Sequence, residues 1–190
     1  FFQVQLAMVL GLSGNAFLFV AIQVASRFAS SFLTTGVRYE LLEQGGVSQF
    51  ALAQVGNSIA RMVLSQVSGI LTDRYELRAL YLAVDAANII LVLMLLPSAV
   101  GAGDPRLLFA VNIGLGLSQA FAQPVGKSLP PAVVASPADL ALVNSLELSG
   151  DKVARYLAPV LFAVVSSGAG FGAALGVAAL LYVGIVAGKR

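Results

Sequence analysis

The 190 residues are 58% hydrophobic and only 11% charged, with a formal net charge of +2 and a mean hydropathy of +0.91. A soluble domain carries about 25% charged residues, so the composition excludes a water-soluble globule and indicates an integral membrane protein. The absence of Cys and His removes disulfides, thiol chemistry and the usual metal ligands. The small, dispersed positive charge does not make a nucleic-acid surface.

The chain opens on Phe rather than Met, as expected of a piece of a longer product. No charge occurs from Phe1 to Ser26, and the apolar pattern continues past Arg27 to about Gly36. That exceeds the roughly 20 residues of one membrane span, and it lacks the basic leader of a signal peptide. We therefore assign residues 1–16 to an extra apolar membrane or interfacial segment and 17–190 to a transmembrane bundle. Helix 1 is predicted at 17–42, and Gly45-Gly46 breaks the chain on the outer side. Helix 2 (48–71) and helix 3 (78–100) flank the most charged stretch of the sequence, 69–78, which reads as a tight cytoplasmic turn. Gly101-Ala102-Gly103-Asp104-Pro105 is a turn by composition. Helix 4 (106–129) is expected to end at Pro130-Pro131. Helix 5 (139–166) and helix 6 (171–188) are separated by Gly168-Ala169-Gly170. This six-helix scheme puts both ends inside. Arg74, Arg78, Lys127, Lys189 and Arg190 then lie inside and Arg38 and Arg106 outside, as the positive-inside rule requires. No three-plus-three internal repeat is evident.

Charges within the spans each need a partner, a wet cavity or an interfacial position, because ionisable groups in hydrocarbon cost several kcal/mol (about 2.5–3.5 on insertion scales). Helix 5 carries most of them. At 100° per residue, Asn144, Glu147, Asp151 and Arg155 fall within an arc of roughly 80°, and Asp151 lies about 16 Å into the helix, near mid-membrane. The stripe reads as the wall of a substrate or proton path, or else as an ion-pair ladder that only packs helices. Arg27 lies at a similar depth in helix 1. It would pair with Asp151 or Glu147, or contact an anionic substrate. Arg61 and Asp85 sit at matched depths, about 10–12 Å from the cytoplasmic face, on the antiparallel neighbours helix 2 and helix 3 and are expected to pair.

The stretch Gly69-x-x-x-Asp73-Arg74-x-x-x-Arg78 resembles the loop between helices 2 and 3 of the major facilitator superfamily. Glu76 stands where that family often has Gly, and Ala79 where it often has a basic residue. Asp85, Pro124 with Pro130, Leu140-x-x-x-Asn144-x-Leu146 and Ala158-Pro159 resemble patterns of its drug-exporting members, with Ala158 replacing a usual Gly. The match spans roughly 17–188. It implies an all-α membrane protein, a six-transmembrane-helix bundle of major facilitator type equivalent to the amino-terminal half of a macrolide, multidrug or siderophore exporter in a bacterial inner membrane. A secondary transporter exporting small amphipathic molecules by ion- or proton-coupled alternating access follows from the resemblance, with Gly69, Asp73, Arg74 and Arg78 as a gating loop. Half of a twelve-helix fold needs a second six-helix half, from another copy or from the rest of a longer chain, besides the lipid bilayer and a small-molecule substrate. The alternative is a six-helix anchor, sensor or structural subunit that does not transport. No catalytic nucleophile–base set, P-loop, metal site or cofactor motif is present, so enzyme activity is not expected.

Overall fold

The computed structural model describes residues 14–99, 104–134 and 137–188. All of the described structure is helical or connecting. The elements are α1 (Gly14–Arg74), α2 (Leu77–Met94), a single turn α3 (Leu96–Ala99), α4 (Pro105–Val133) and α5 (Pro137–Gly188). Stretches of α1, α4 and α5 are long and apolar enough to cross a membrane, at Ala16–Ile70, Pro105–Pro131 and Asp139–Gly188. Ala79–Met94 in α2 is a shorter apolar helix. These lengths are compatible with a membrane protein.

At 1.5 Å per residue, α1 with its 61 residues and α5 with its 52 would each far exceed a hydrocarbon core about 30 Å thick. Both therefore break at glycine. Gly46 (φ 71°, ψ 179°) and Gly170 (φ 82°, ψ 170°) are the non-helical residues inside the two helices, in a region of backbone space open essentially only to Gly. Side-chain contacts give the direction of each arm. Along α4, the pairs Gln119–Thr34 and Gly126–Arg27 run in reverse order with the first arm of α1. The pairs Asn112–Ala53 and Gly116–Asn57 run in the same order with the second arm. The two arms of α1 are thus antiparallel. In α5, Gly150 meets Val24 and Phe162 meets Gly36, whereas Gly188 meets Ile22 and Ala174 and Ala178 flank Phe32 and Leu33. The arms of α5 are antiparallel as well.

The first arm of α1 is the centre of the packing, against both α4 and α5. Phe32, Leu33, Val37 and Leu41 from it are buried with Leu108, Val111 and Leu115 of α4 and Phe162, Leu175 and Tyr182 of α5. Phe162 lies edge-on to Phe32 at 5.5 Å and to Phe171 at 6.4 Å between ring centroids. Close approach of α5 to the first arm needs Gly150, where a Cβ would overlap the Val24 side chain. Interhelical polar contacts supplement this packing. The Asn57 amide donates to the Asn112 carbonyl at 2.6 Å, and the Asn112 amide donates to the Ala53 carbonyl at 3.0 Å. Ser118 donates to Asn88 at 2.7 Å, and Tyr81 donates to Gln23. The outer faces are apolar: Leu52, Met62, Val164 and Leu180 are all at least 60% exposed.

Several boundaries differ from the sequence reading. α1 continues to Arg74, so the 69–78 turn shrinks to Tyr75 and Glu76. Helix 3 stops early: α2 ends at Met94, and Leu95 N–H closes a tighter i→i−3 bond to Val92 at 3.0 Å. Pro97 has no N–H and its ring opposes the carbonyl four residues back, which ends the ladder there. Pro130-Pro131 does not end helix 4; α4 runs on to Val133. Each proline's φ is helical, so it costs its own N–H bond and crowds the carbonyl four residues back without forcing the helix to stop, and α4 passes through Pro124 in the same way. The expected start at Asp104-Pro105 is present, with Asp104 accepting from Arg106 N–H at 2.9 Å and Pro105 in the first turn. Residues 1–13 of the proposed 1–16 segment and the 101–103 part of the glycine turn lie outside the described residues; from Gly14 onward the chain is α1.

Candidate functional site

A polar stripe runs down one face of the first arm of α1. Gln23, Arg27, Ser30, Thr34 and Arg38 recur at three- and four-residue spacing and so point the same way. Gln119, Gln123 and Lys127 do the same on α4, as do Asn144, Glu147, Asp151 and Arg155 on α5. These stripes enclose two cavities that share Arg27, Gln123, Asp151 and Arg155. The first, about 330 Å³, is walled by Gln23, Lys127, Asn144 and Glu147 as well. The second, about 340 Å³, extends past Thr34 to Arg38 and Arg61. A small ligand pocket is of this order, at about 300–1,000 Å³.

All five residues expected along a polar path, Arg27, Asn144, Glu147, Asp151 and Arg155, therefore line the first cavity. Asp151 and Arg155 form an ion pair at 2.8 Å, with the Arg155 side chain 67% exposed and the Asp151 side chain 24%. Glu147 is half-buried; its Oε1 is inaccessible and makes no hydrogen bond, and the positive charge of Arg27 acts on it. Gln119 spans from α4 to the first arm, donating to Thr34 at 3.0 Å and to Ser30 at 3.4 Å. That contact holds the polar wall of α1 in register with α4.

The Arg61–Asp85 pairing rested on helices 2 and 3 being neighbours. In the structure α2 packs chiefly on α4 and α5 rather than along α1. Arg61 lines the second cavity, where its charge acts on Arg38. Asp85 is buried, and its charge reaches Tyr81 and Tyr182. Of the loop residues, Gly69 is helical and Arg74 is exposed in the last turn of α1. The side chains of Asp73 and Arg78 lie outside the described residues. Arg38, placed outside by charge counting, and Lys127, placed at the inner end, both stand on cavity walls. The signal for them was in the sequence: Arg38 continues the Gln23–Arg27 stripe by steps of three and four through Ser30 and Thr34, and Lys127 lies four residues beyond Gln123.

Among the described residues no group of three or more acidic side chains is close enough to hold a metal ion. What the walls offer is polar surface: guanidiniums, hydroxyls, amides and two carboxylates. That set can bind a polar or charged solute and can take up a proton. Compared with known proteins, the chain matches no family model, no curated sequence and no solved structure.

Proposed function

We propose that the chain is the cavity-forming half of a secondary transporter of major facilitator type, moving small amphipathic molecules across a membrane. The observation that carries this reading is the convergence of polar stripes from α1, α4 and α5 on joined cavities inside an otherwise apolar bundle. Charged groups in a membrane bundle mark solute and proton paths by default. Counting each arm of α1 and α5 separately, with α2 and α4, gives six segments of alternating direction, which fits half of the twelve-helix fold implied by the loop motif. Major facilitator halves meet around a central site, so a second six-helix half would close the cavity's open side. Lys127 at one end and the basic turn around Arg74 fit a cytoplasmic location of that turn.

Glu147 and Asp151 are the carboxylates that would carry a coupling proton, since the chain has no His. Glu147 faces Arg27, and Asp151 faces Arg155. Movement of either basic group would change the carboxylate's hold on its proton. The test is gradient-driven flux of a fluorescent amphipathic dye into or out of liposomes holding the chain. Asp151→Asn is expected to abolish flux while the protein remains folded and binds the dye. Normal flux in both Asp151→Asn and Glu147→Gln would remove the proton role. The Asp151–Arg155 pair supports a second reading, a structural subunit whose stripe only packs helices. In that case the cavity walls would not react with aqueous probes.

A further inference from the structure

The two ends of the joined cavity differ in charge. At the Glu147 end, carboxylates and basic groups alternate. At the other end, Arg38 and Arg61 share a wall with the hydroxyls of Ser30, Ser31 and Thr34. Asp151 is the carboxylate of that wall among the described residues, and it is engaged by Arg155 at 2.8 Å. Arg38 acts against Arg61 as a like charge, and its Nε is buried without a hydrogen-bond partner. Arg38 is half-buried and lies eight residues inside the Gly46 break, about 12 Å along the helix. Two guanidiniums thus share one wall, one with a donor left over, and among the described residues that wall offers them no carboxylate besides the engaged Asp151. Guanidinium donors fit the oxygens of carboxylate, phosphate or sulfonate in a bidentate way, and neighbouring hydroxyls can complete the set.

We propose that the Arg38–Arg61 end binds the oxyanion head group of the cavity's occupant, so that the substrate class is amphipathic anions rather than cations. This rests on the transport reading above for the word substrate, but the site itself does not depend on it. Ser30 and Thr34 are already fixed by Gln119, so the hydroxyl wall is pre-ordered for an oxyanion. The occupant's apolar part would lie along the cavity toward Pro159. A bilayer phospholipid supplies the same head-group chemistry as a free organic anion, and the experiment separates the two.

The purified chain in nanodiscs of phosphatidylcholine is titrated with benzoate, phenylphosphate, benzylammonium and benzyl alcohol, with the thermal midpoint as readout. The two anions are expected to raise the midpoint and the cation and alcohol to leave it unmoved. Arg38→Gln together with Arg61→Gln is expected to weaken benzoate binding about tenfold or more. In anion-free buffer that double variant should melt no lower than the parent, because a like-charge repulsion has been removed. If phosphatidylglycerol discs raise the midpoint in place of benzoate, and the double variant loses that effect, the head group is a lipid's and the oxyanion site stands. Equal response to benzylammonium, undiminished binding in the double variant, or no response to any anion or anionic lipid would overturn the proposal. The wild-type comparison of anion with cation needs no variant to fold. Anion binding without flux would sink the transport reading alone, and flux without preference for anions would sink the site alone.

Discussion

The first arm of α1 has two faces that solve different problems. One carries Ala29, Phe32, Leu33 and Gly36 against α5, where Phe32, Phe162 and Phe171 pack edge to edge. The other carries Gln23, Arg27, Ser30, Thr34 and Arg38 toward the cavities. The apolar face holds the bundle together. The polar face has unsatisfied groups, at Gln23 and Arg38, and space beside them. A helix needed only for packing would bury its buried amides and guanidiniums in hydrogen bonds. The difference teaches that stability and function are separated by about half a turn of the same helix, so substitutions on the two faces should have opposite signatures.

The largest expected effect is on the packing face. Phe162→Ala removes the ring between Phe32, Gly36 and Phe171 and should cost about 3–5 kcal/mol, read as a lower midpoint in denaturant titration of the micellar protein. Benzoate binding per folded molecule should be retained. Next is the break that lets α1 return. Gly46→Ala forces a Cβ into a backbone region reserved for Gly and should cost about 1–3 kcal/mol; an unchanged midpoint would mean that the arms can join by another geometry. Asn112→Leu removes the bond its amide donates to the Ala53 carbonyl and keeps the one its main-chain carbonyl accepts from Asn57, for about 0.5–1.5 kcal/mol, checked by the same titration. Smallest on stability is Asp151→Asn on the polar face. Its partner is largely exposed, so the loss should be under about 1 kcal/mol, while proton-driven flux should disappear. A large stability loss there would make the polar face structural and erase the contrast.

The apolar plan was legible in the sequence because glycine and proline act locally. Gly46, Gly170 and the Asp104-Pro105 start behave as their chemistry dictates. The α5 stripe was legible because 3.6-residue periodicity alone places Asn144, Glu147, Asp151 and Arg155 on one side. Pro130-Pro131 misled because a proline weakens a helix at one bond without having to end it, as Pro124 inside the same helix also shows. The place of Arg38 on a cavity wall was not read because charge counting assigns a residue to a side of the membrane without asking which face of the helix it occupies. The packing of α2 was not legible because sequence adjacency of helices does not fix spatial adjacency. α2 finds its chief partner on α4, through Asn88 with Ser118 and Leu91 beside Gly114, and packs on α5 as well, and those contacts are long-range.

The central claim is that the polar stripes face an aqueous cavity while the remaining exposed surface faces lipid. The chain has no cysteine, so single-cysteine variants report without background. Asn144→Cys on the cavity wall and Val164→Cys and Leu180→Cys on the outer faces are reconstituted in liposomes and treated with a water-soluble, membrane-impermeant maleimide, from outside and after loading it inside. The expected result is rapid labelling of Asn144→Cys from one side or both, with Val164→Cys and Leu180→Cys protected by lipid. Labelling of the outer pair as fast as Asn144→Cys, or an unreactive Asn144→Cys in folded protein, would contradict it.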